Sequence, residues 1–103
     1  MKEQVYVHDD LRIQPQYGYY SNGRKVLSFN VGFAPYITAS VNMPDNDCPD
    51  DEMHIKDYSE NKGITKWLIE NGFIEEGVTG MVEIEYVTIK RYKICKEHLK
   101  NWN

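Results

Sequence analysis

Cysteine and histidine are the side chains of this sequence with the most versatile chemistry, and they form two short pairs. Cys48 precedes His54, and Cys95 precedes His98. If the second pair lies on a helix, its spacing brings thiol and imidazole to one face. An activated nucleophile also needs an acid that orients the histidine, and the sequence places none there. The second pair therefore predicts no catalytic thiolate.

Metal binding is the second chemistry to test by spacing. The four side chains could offer zinc two sulfurs and two nitrogens, but C-x5-H and C-x2-H match no standard zinc finger. The segment that starts at Asp45 resembles a calcium loop, yet Asp50 stands where the loop needs glycine, and Lys56 where it needs glutamate. No phosphate-binding glycine motif occurs. We therefore expect no metal, no cofactor and no enzymatic activity.

Charge is distributed unevenly along a chain whose net charge is -4. Residues 45–60 (the acidic segment) carry seven carboxylates and one lysine, whereas residues 90–100 (the basic segment) carry five basic side chains and one glutamate. The acidic segment predicts a surface that attracts a basic protein partner, provided that the two segments do not neutralise each other in the fold. The candidate protein-binding residues are Asp45, Asp47, Asp50, Asp51, Lys56, Tyr58 and Glu60.

A second candidate surface combines aromatic rings with cations between residues 17 and 25. Exposed rings beside basic groups hold single-stranded nucleic acid, so Tyr17, Tyr20, Arg24 and Lys25 form the alternative, a nucleic-acid site. The competing interpretation packs Tyr17 and Tyr19 against neighbouring strands and leaves Tyr20 outside. The negative net charge favours packing, because broad nucleic-acid binding needs a basic surface.

The elements that position these residues begin with a hairpin. Apolar residues alternate with polar ones from Leu11 to Tyr19 and again from Leu27 to Phe33. A three-residue loop, Ser21-Asn22-Gly23, with Gly23 left-handed, pairs Tyr17 with Leu27 and puts both apolar sets on one face. Pro15 predicts that its strand is at an edge or interrupted.

The rest of the chain predicts an antiparallel α+β domain. Strands are expected at 36–42, 52–56 and, after Thr79-Gly80, at 81–94, where the apolar phase shifts near Tyr86 through a bulge or because both faces are covered. One helix starts near Ser59, capped by Ser59 or by Asp57 with Glu60, and stops at Asn71-Gly72. The tail 95–102 is a candidate short basic helix. Together these indicate one sheet of five or six strands with one main helix on a face.

Three blocks carry a family resemblance: Val41-Asn42-Met43-Pro44-Asp45, the run Ile55-Lys56-Asp57-Tyr58-Ser59-Glu60-Asn61-Lys62-Gly63, and Gly72-Phe73-Ile74 followed by Thr79-Gly80. They resemble a family of small bacterial domains of unknown function carried on plasmids, phages and conjugative elements. The resemblance covers roughly residues 37–90. It implies a mobile-element or gut-bacterial origin and supplies no activity, and the basic tail departs from the family pattern.

Length and composition set the frame for these predictions. A chain of 103 residues, 41% hydrophobic, predicts one domain over residues 1–103. The start lacks an apolar leader, no long apolar run predicts a membrane span, and two cysteines suit a reducing compartment. We expect a cytoplasmic, non-catalytic accessory protein with a protein partner, with nucleic acid as the alternative partner and no membrane.

Overall fold

The computed structural model describes residues 4–102 as an α+β fold with two antiparallel sheets. The first sheet contains, in spatial order, β1 (Tyr6–His8), β2 (Leu11–Tyr19), β3 (Lys25–Val31) and β4 (Ala34–Thr38). The second sheet contains β5 (Glu52–Ile55), β7 (Val87–Ile94) and β6 (Ile74–Ile84), with β7 in the centre. The α+β class is confirmed, whereas the predicted single sheet of five or six strands is wrong.

The two sheets meet where the chain leaves β4. Ala39 donates its N–H to Leu27 O at 2.9 Å and accepts the N–H of Lys56 at 2.8 Å, so it bonds to both sheets. Val41 then donates to His54 O at 3.0 Å. The strand predicted at 36–42 therefore ends at Thr38. Beyond that residue the chain turns away from β3 and forms its hydrogen bonds with β5 instead.

The β2–β3 hairpin follows the sequence prediction. Tyr17 lies opposite Leu27, the N–H of Tyr20 donates to Arg24 O at 2.7 Å, and Gly23 has a left-handed φ of 85°. The three-residue loop and its register are confirmed. Pro15 lies beyond the last β2 residue that pairs with β1, so β2 has only β3 beside it there, as the missing donor requires.

The predicted long strand 81–94 is wrong, because it is a hairpin of two strands. The chain reverses at Glu85-Tyr86, where Glu85 has a positive φ of 51°. Val82 then lies opposite Ile89, and Ile84 opposite Val87. Reversal places the two apolar sets on one face, which explains the phase shift without the bulge predicted at that point. β6 also starts earlier than predicted, at Ile74.

The main helix, α1 (Ile64–Glu70), begins later than predicted, after a single 3-10 turn at Ser59–Asn61. Ser59 has a positive φ of 56° and lies outside α1, so neither predicted cap arrangement forms. Asp57 instead accepts the N–H groups of Gly63 at 2.6 Å and Thr65 at 3.0 Å.

The end of α1 matches the prediction. Gly72 is left-handed with φ of 77°, and the N–H of Phe73 returns to Leu68 O at 2.9 Å, the 6→1 bond of a Schellman motif.

The predicted C-terminal helix is confirmed: α2 (Lys96–Leu99) and a 3-10 turn (Lys100–Trp102) bring Trp102 back onto the first hairpin. Across residues 4–102, no helix has the length and hydrophobicity that a membrane crossing requires.

One apolar cluster joins both sheets and α1. The largest fully buried side chains are Leu27, Phe29, Ile55, Ile64, Leu68, Phe73 and Ile74.

Candidate functional site

The acidic and basic segments meet because β5 pairs with β7. Arg91 lies at the centre of this contact. Its Nε donates to Glu52 Oε1 at 2.7 Å, and its Nη1 donates to the backbone carbonyl of Asp47 at 2.6 Å. Its Nη2 donates to the Thr79 carbonyl at 2.9 Å, above Gly80, where a Cβ would lie 2.9 Å from the guanidinium carbon. One arginine thus ties the acidic segment to both outer strands of the second sheet.

Other cations hold the remainder of the loop between β4 and β5. Lys93 approaches Asp51 at 3.9 Å, and Lys25 donates to the Asp50 backbone carbonyl at 2.6 Å. Arg24 donates to the backbone carbonyls of Met43 and Asn46. Four cations thus lie against the acidic segment and weaken its attraction for a basic partner, while the side chains of Asp45, Asp47 and Asp50 stay exposed.

The other predicted protein-binding residues lie at the other end of the acidic segment. Lys56 Nζ contacts Glu60 Oε1 at 2.5 Å and lies 5.7 Å from the centre of the Tyr58 ring. The hydrogen bond from Lys56 lowers the pKa of Glu60 to about 2. Tyr58 is half-buried and borders an apolar groove beside the turn between β6 and β7.

The four residues of the predicted nucleic-acid site all form side-chain hydrogen bonds within the protein. Tyr17 shares a hydrogen bond of 3.1 Å with His98 Nδ1, and burial raises its pKa to about 12. Tyr20 shares a hydrogen bond of 3.1 Å with the Ser40 hydroxyl. Both rings are half-buried, whereas Tyr19 is 55% exposed. The expectation that Tyr19 is packed and Tyr20 lies outside is therefore wrong. Since Arg24 and Lys25 are bonded to loop carbonyls, no joint stacking platform forms from these four.

The cysteines and histidines of the sequence do not come together. His54 is buried and not on the surface, and His98 stacks on Phe73 at 4.2 Å. Burial raises the pKa of both thiols, which is opposite to the shift of an activated nucleophile. Within residues 4–102, no three side chains of the metal-ligating types converge on one point.

A cleft of about 660 Å³ lies between α1 and the sheet formed by β5 and β7. Asp57 is its most constrained carboxylate. Burial favours the neutral form of Asp57, but hydrogen bonds from Thr65 and Gly63 outweigh burial and lower its pKa. The Asp57 carboxylate is thus a support for the start of α1. The residues around the cleft are Ile55, Asp57, Thr65, Lys66, Ile69, Glu70, Glu76, Thr88, Lys90 and Tyr92.

The end of the β6–β7 hairpin carries large exposed apolar side chains beside an apolar groove. Tyr86 is fully exposed at the turn, Met81 is 66% exposed and Ile84 is 43% exposed. Beside the turn runs a shallow groove of about 310 Å³. We call this groove and the three exposed side chains the hairpin end. The groove is formed by Val41, Met43, Tyr58, Ile84, Glu85, Tyr86, Val87 and Ile89.

Sequence reasoning missed the hairpin end because it read 81–94 as one strand, in which Tyr86 is an interior position. The phase shift of the apolar residues around Tyr86 was the signal that could have revealed a turn.

Comparison of the chain with protein-family models, with curated proteins and with solved structures finds no match. The resemblance to small bacterial domains of mobile elements therefore stays a prediction.

Proposed function

We propose that this chain is a non-catalytic protein-binding module that binds its partner through the hairpin end. The observation that carries the proposal is the exposure of Tyr86 and Ile84 beside an apolar groove at the end of the β6–β7 hairpin. Free cysteines at Cys48 and Cys95 suit such a role in the reducing cytoplasm.

Physical chemistry favours a protein as the ligand of this surface. Aromatic residues and methionine are enriched in the cores of protein interfaces, and exposed apolar side chains that lie together mark interaction sites. Tyr86 supplies a large ring that loses little conformational entropy when it is fixed, which is typical of residues that dominate binding energy. Tyr58 and Met43 provide the apolar wall beside it.

A comparison within the chain separates this surface from ordinary exposure. Phe33, at the turn between β3 and β4, is as exposed as Tyr86. Its neighbours Ala34 and Pro35 are small and exposed, and Phe33 borders neither the α1 cleft nor the apolar groove. A single exposed apolar residue needs no functional explanation, so Phe33 serves as the matched control.

The test is capture of partners by immobilised protein from lysate of the source organism, with and without nuclease. We expect specific proteins to be retained in both halves, lost with the double variant Ile84→Ser/Tyr86→Ser, and retained with Phe33→Ser. The variant with Asp45, Asp47, Asp50 and Asp51 changed to asparagine is expected to keep the same proteins, because these side chains lie outside the hairpin end.

Three results would overturn the proposal. Retention of the same proteins by the double variant would separate binding from the hairpin end. Loss of binding only in the aspartate variant would return the interaction to the acidic segment. Recovery of nucleic acid, with proteins lost after nuclease, would favour the nucleic-acid alternative.

A further inference from the structure

The open edge of β6 gives the hairpin end a second recognition feature. β6 pairs with β7 on one side and lies at the edge of its sheet. Its first part is irregular, with register shifts between Ile74 and Gly80, but Met81–Ile84 pairs regularly with Val87–Lys90. Irregular edges resist strand pairing, whereas a regular edge offers backbone groups to another strand.

The hairpin register identifies the backbone groups on that edge. Ile84 and Val87 flank a two-residue turn, so they form the hydrogen-bonded pair that closes the hairpin. Pairing alternates along an antiparallel ladder, so Val82 also faces β7. The N–H and C=O groups of Met81 and Glu83 consequently point away from β7, towards the open edge.

The charge of β6 selects among possible occupants. Over residues 74–85 the chain carries four carboxylates, at Glu75, Glu76, Glu83 and Glu85, and no basic side chain. Among the described residues, none of these four takes part in an ion pair, unlike the carboxylates of the acidic segment around Arg91. A second copy of this chain would bring its own β6 carboxylates to the same edge, which disfavours self-association.

The two faces of the edge differ in chemistry. Glu83 lies opposite Thr88, on the face of the α1 cleft, to which Glu76 also belongs. Met81 and Lys90, which lie opposite each other, share this face. On the other face lies Ile84, which borders the apolar groove. A strand added beside Met81–Ile84 meets Glu83 and Met81 on one face, and Val82 and Ile84 on the other.

We infer that the partner of this module contributes an extended segment in which Lys or Arg alternates with Val, Ile or Leu, and that the segment adds to the edge of β6 as a further strand. This inference rests on the proposed function and specifies its ligand. Main-chain hydrogen bonds supply affinity in such complexes, and the alternate side chains supply specificity.

The test uses two synthetic peptides of about eight residues, the length of an ordinary strand. One alternates Lys with Val and the other alternates Glu with Val, and both have blocked termini. We expect the Lys/Val peptide to bind about tenfold or more tightly than the Glu/Val peptide, with the difference shrinking as salt rises. In hydrogen-exchange NMR the amides of Met81 and Glu83 should gain protection, whereas those of Val82 and Ile84 are protected already.

Variants separate backbone pairing from charge. Glu83→Pro removes an outward-facing N–H, which an edge strand tolerates, and should abolish binding. Glu83→Lys leaves the backbone intact and should reduce or invert the preference between the peptides, so the test does not depend on the folding of the proline variant. Asp45→Lys makes the same charge change in the acidic segment and should alter neither affinity by more than about twofold.

The outcomes distinguish this inference from the proposed function. Equal affinity for both peptides, absence of binding, or protection at amides other than Met81 and Glu83 would overturn strand addition. A concentration-dependent dimer that protects the same two amides would show that the occupant is a second copy. If any of these occurs while Ile84→Ser/Tyr86→Ser still abolishes partner capture, the proposed function stands and only the inference fails.

Discussion

The guanidinium of Arg91 donates from Nε to the Glu52 carboxylate at 2.7 Å, and the two side chains are only 17% and 10% exposed. This shielded pair joins the basic segment to the acidic segment across neighbouring strands. Breaking a buried ion pair leaves an uncompensated charge, so the contact constrains the fold more strongly than a surface pair would. The two charged segments, which are separate in the sequence, thus meet at a shielded ion pair in the fold.

Gly80 is expected to be essential for this network. A Cβ there would lie 2.9 Å from the Arg91 guanidinium carbon, so Gly80→Ala should displace Arg91 and lower the unfolding free energy by about 1–2 kcal/mol. The measurement is chemical denaturation. Gly18→Ala is the control, since a Cβ at Gly18 meets no atom within 4 Å. In an Arg91→Met background the effect of Gly80→Ala should largely vanish, and a fully additive double variant would contradict the steric explanation.

Trp102 is expected to contribute strongly to stability despite its place near the end of the sequence. Trp102 is 4% exposed, its ring centre lies 4.7 Å from that of Tyr17, and its Nε1 donates to Gly18 O at 3.0 Å. Trp102→Ala should lower the unfolding free energy by about 3–5 kcal/mol. Tyr86→Ala removes a fully exposed ring and should change it by less than about 0.5 kcal/mol. A loss from Trp102→Ala as small as that from Tyr86→Ala would refute the docking of the tail.

Stability should fall as the solution becomes mildly acidic, because of two histidines. Burial lowers the pKa of both His54 and His98 below the ordinary value of 6.5. Below that value the unfolded chain binds protons that the folded protein resists, so stability is complete above pH 6.5 and is lost as pH falls towards the lowered values. Denaturation at a series of pH values measures the slope. His54→Gln and His98→Gln should each reduce it, and an unchanged slope in both would contradict this assignment.

Asp57 is expected to stabilise the start of α1 although it lies outside the helix. Asp57→Ala removes the acceptor for the Gly63 and Thr65 N–H groups and should cost about 1–2 kcal/mol of unfolding free energy. Its pKa is lowered, so this contribution is present at neutral pH and disappears in acid as the carboxylate protonates. Asp45→Ala is the matched control, because Asp45 is exposed and lies outside this cap. A loss that persists after Asp57 is protonated would argue against the carboxylate as the acceptor.

Local signals predicted the parts of the fold whose geometry is set by neighbouring residues. Gly23 fixed the length of the first hairpin loop, and one loop length alone put its apolar residues on a single face. Gly72 likewise marked the end of α1. The turn at Glu85-Tyr86 could not be predicted in this way, because neither residue is typical of a tight turn, and Glu85 adopts its positive φ within a hairpin held by strand pairing.

The candidate site depends on contacts between residues that are far apart in the sequence, and local sequence patterns do not predict such contacts. Asp47 and Arg91 are 44 residues apart and meet because β5 pairs with β7. Tyr17 and His98 meet because the tail folds back over the first hairpin. The Tyr17 ring, which suggested stacking on nucleic acid, therefore packs within the protein instead. Composition identified the charged and aromatic residues correctly, but only the register of the strands decides which of them face solvent.

The docking of Trp102 also affects the state of the first hairpin during translation. Gly18 is synthesised 84 residues before the indole that caps its carbonyl, and Val26 is synthesised 76 residues before it. During translation the first hairpin therefore exists without its cover, and its inner face is available to chaperones or to other nascent chains. Contacts between residues so far apart in sequence close more slowly than local turns.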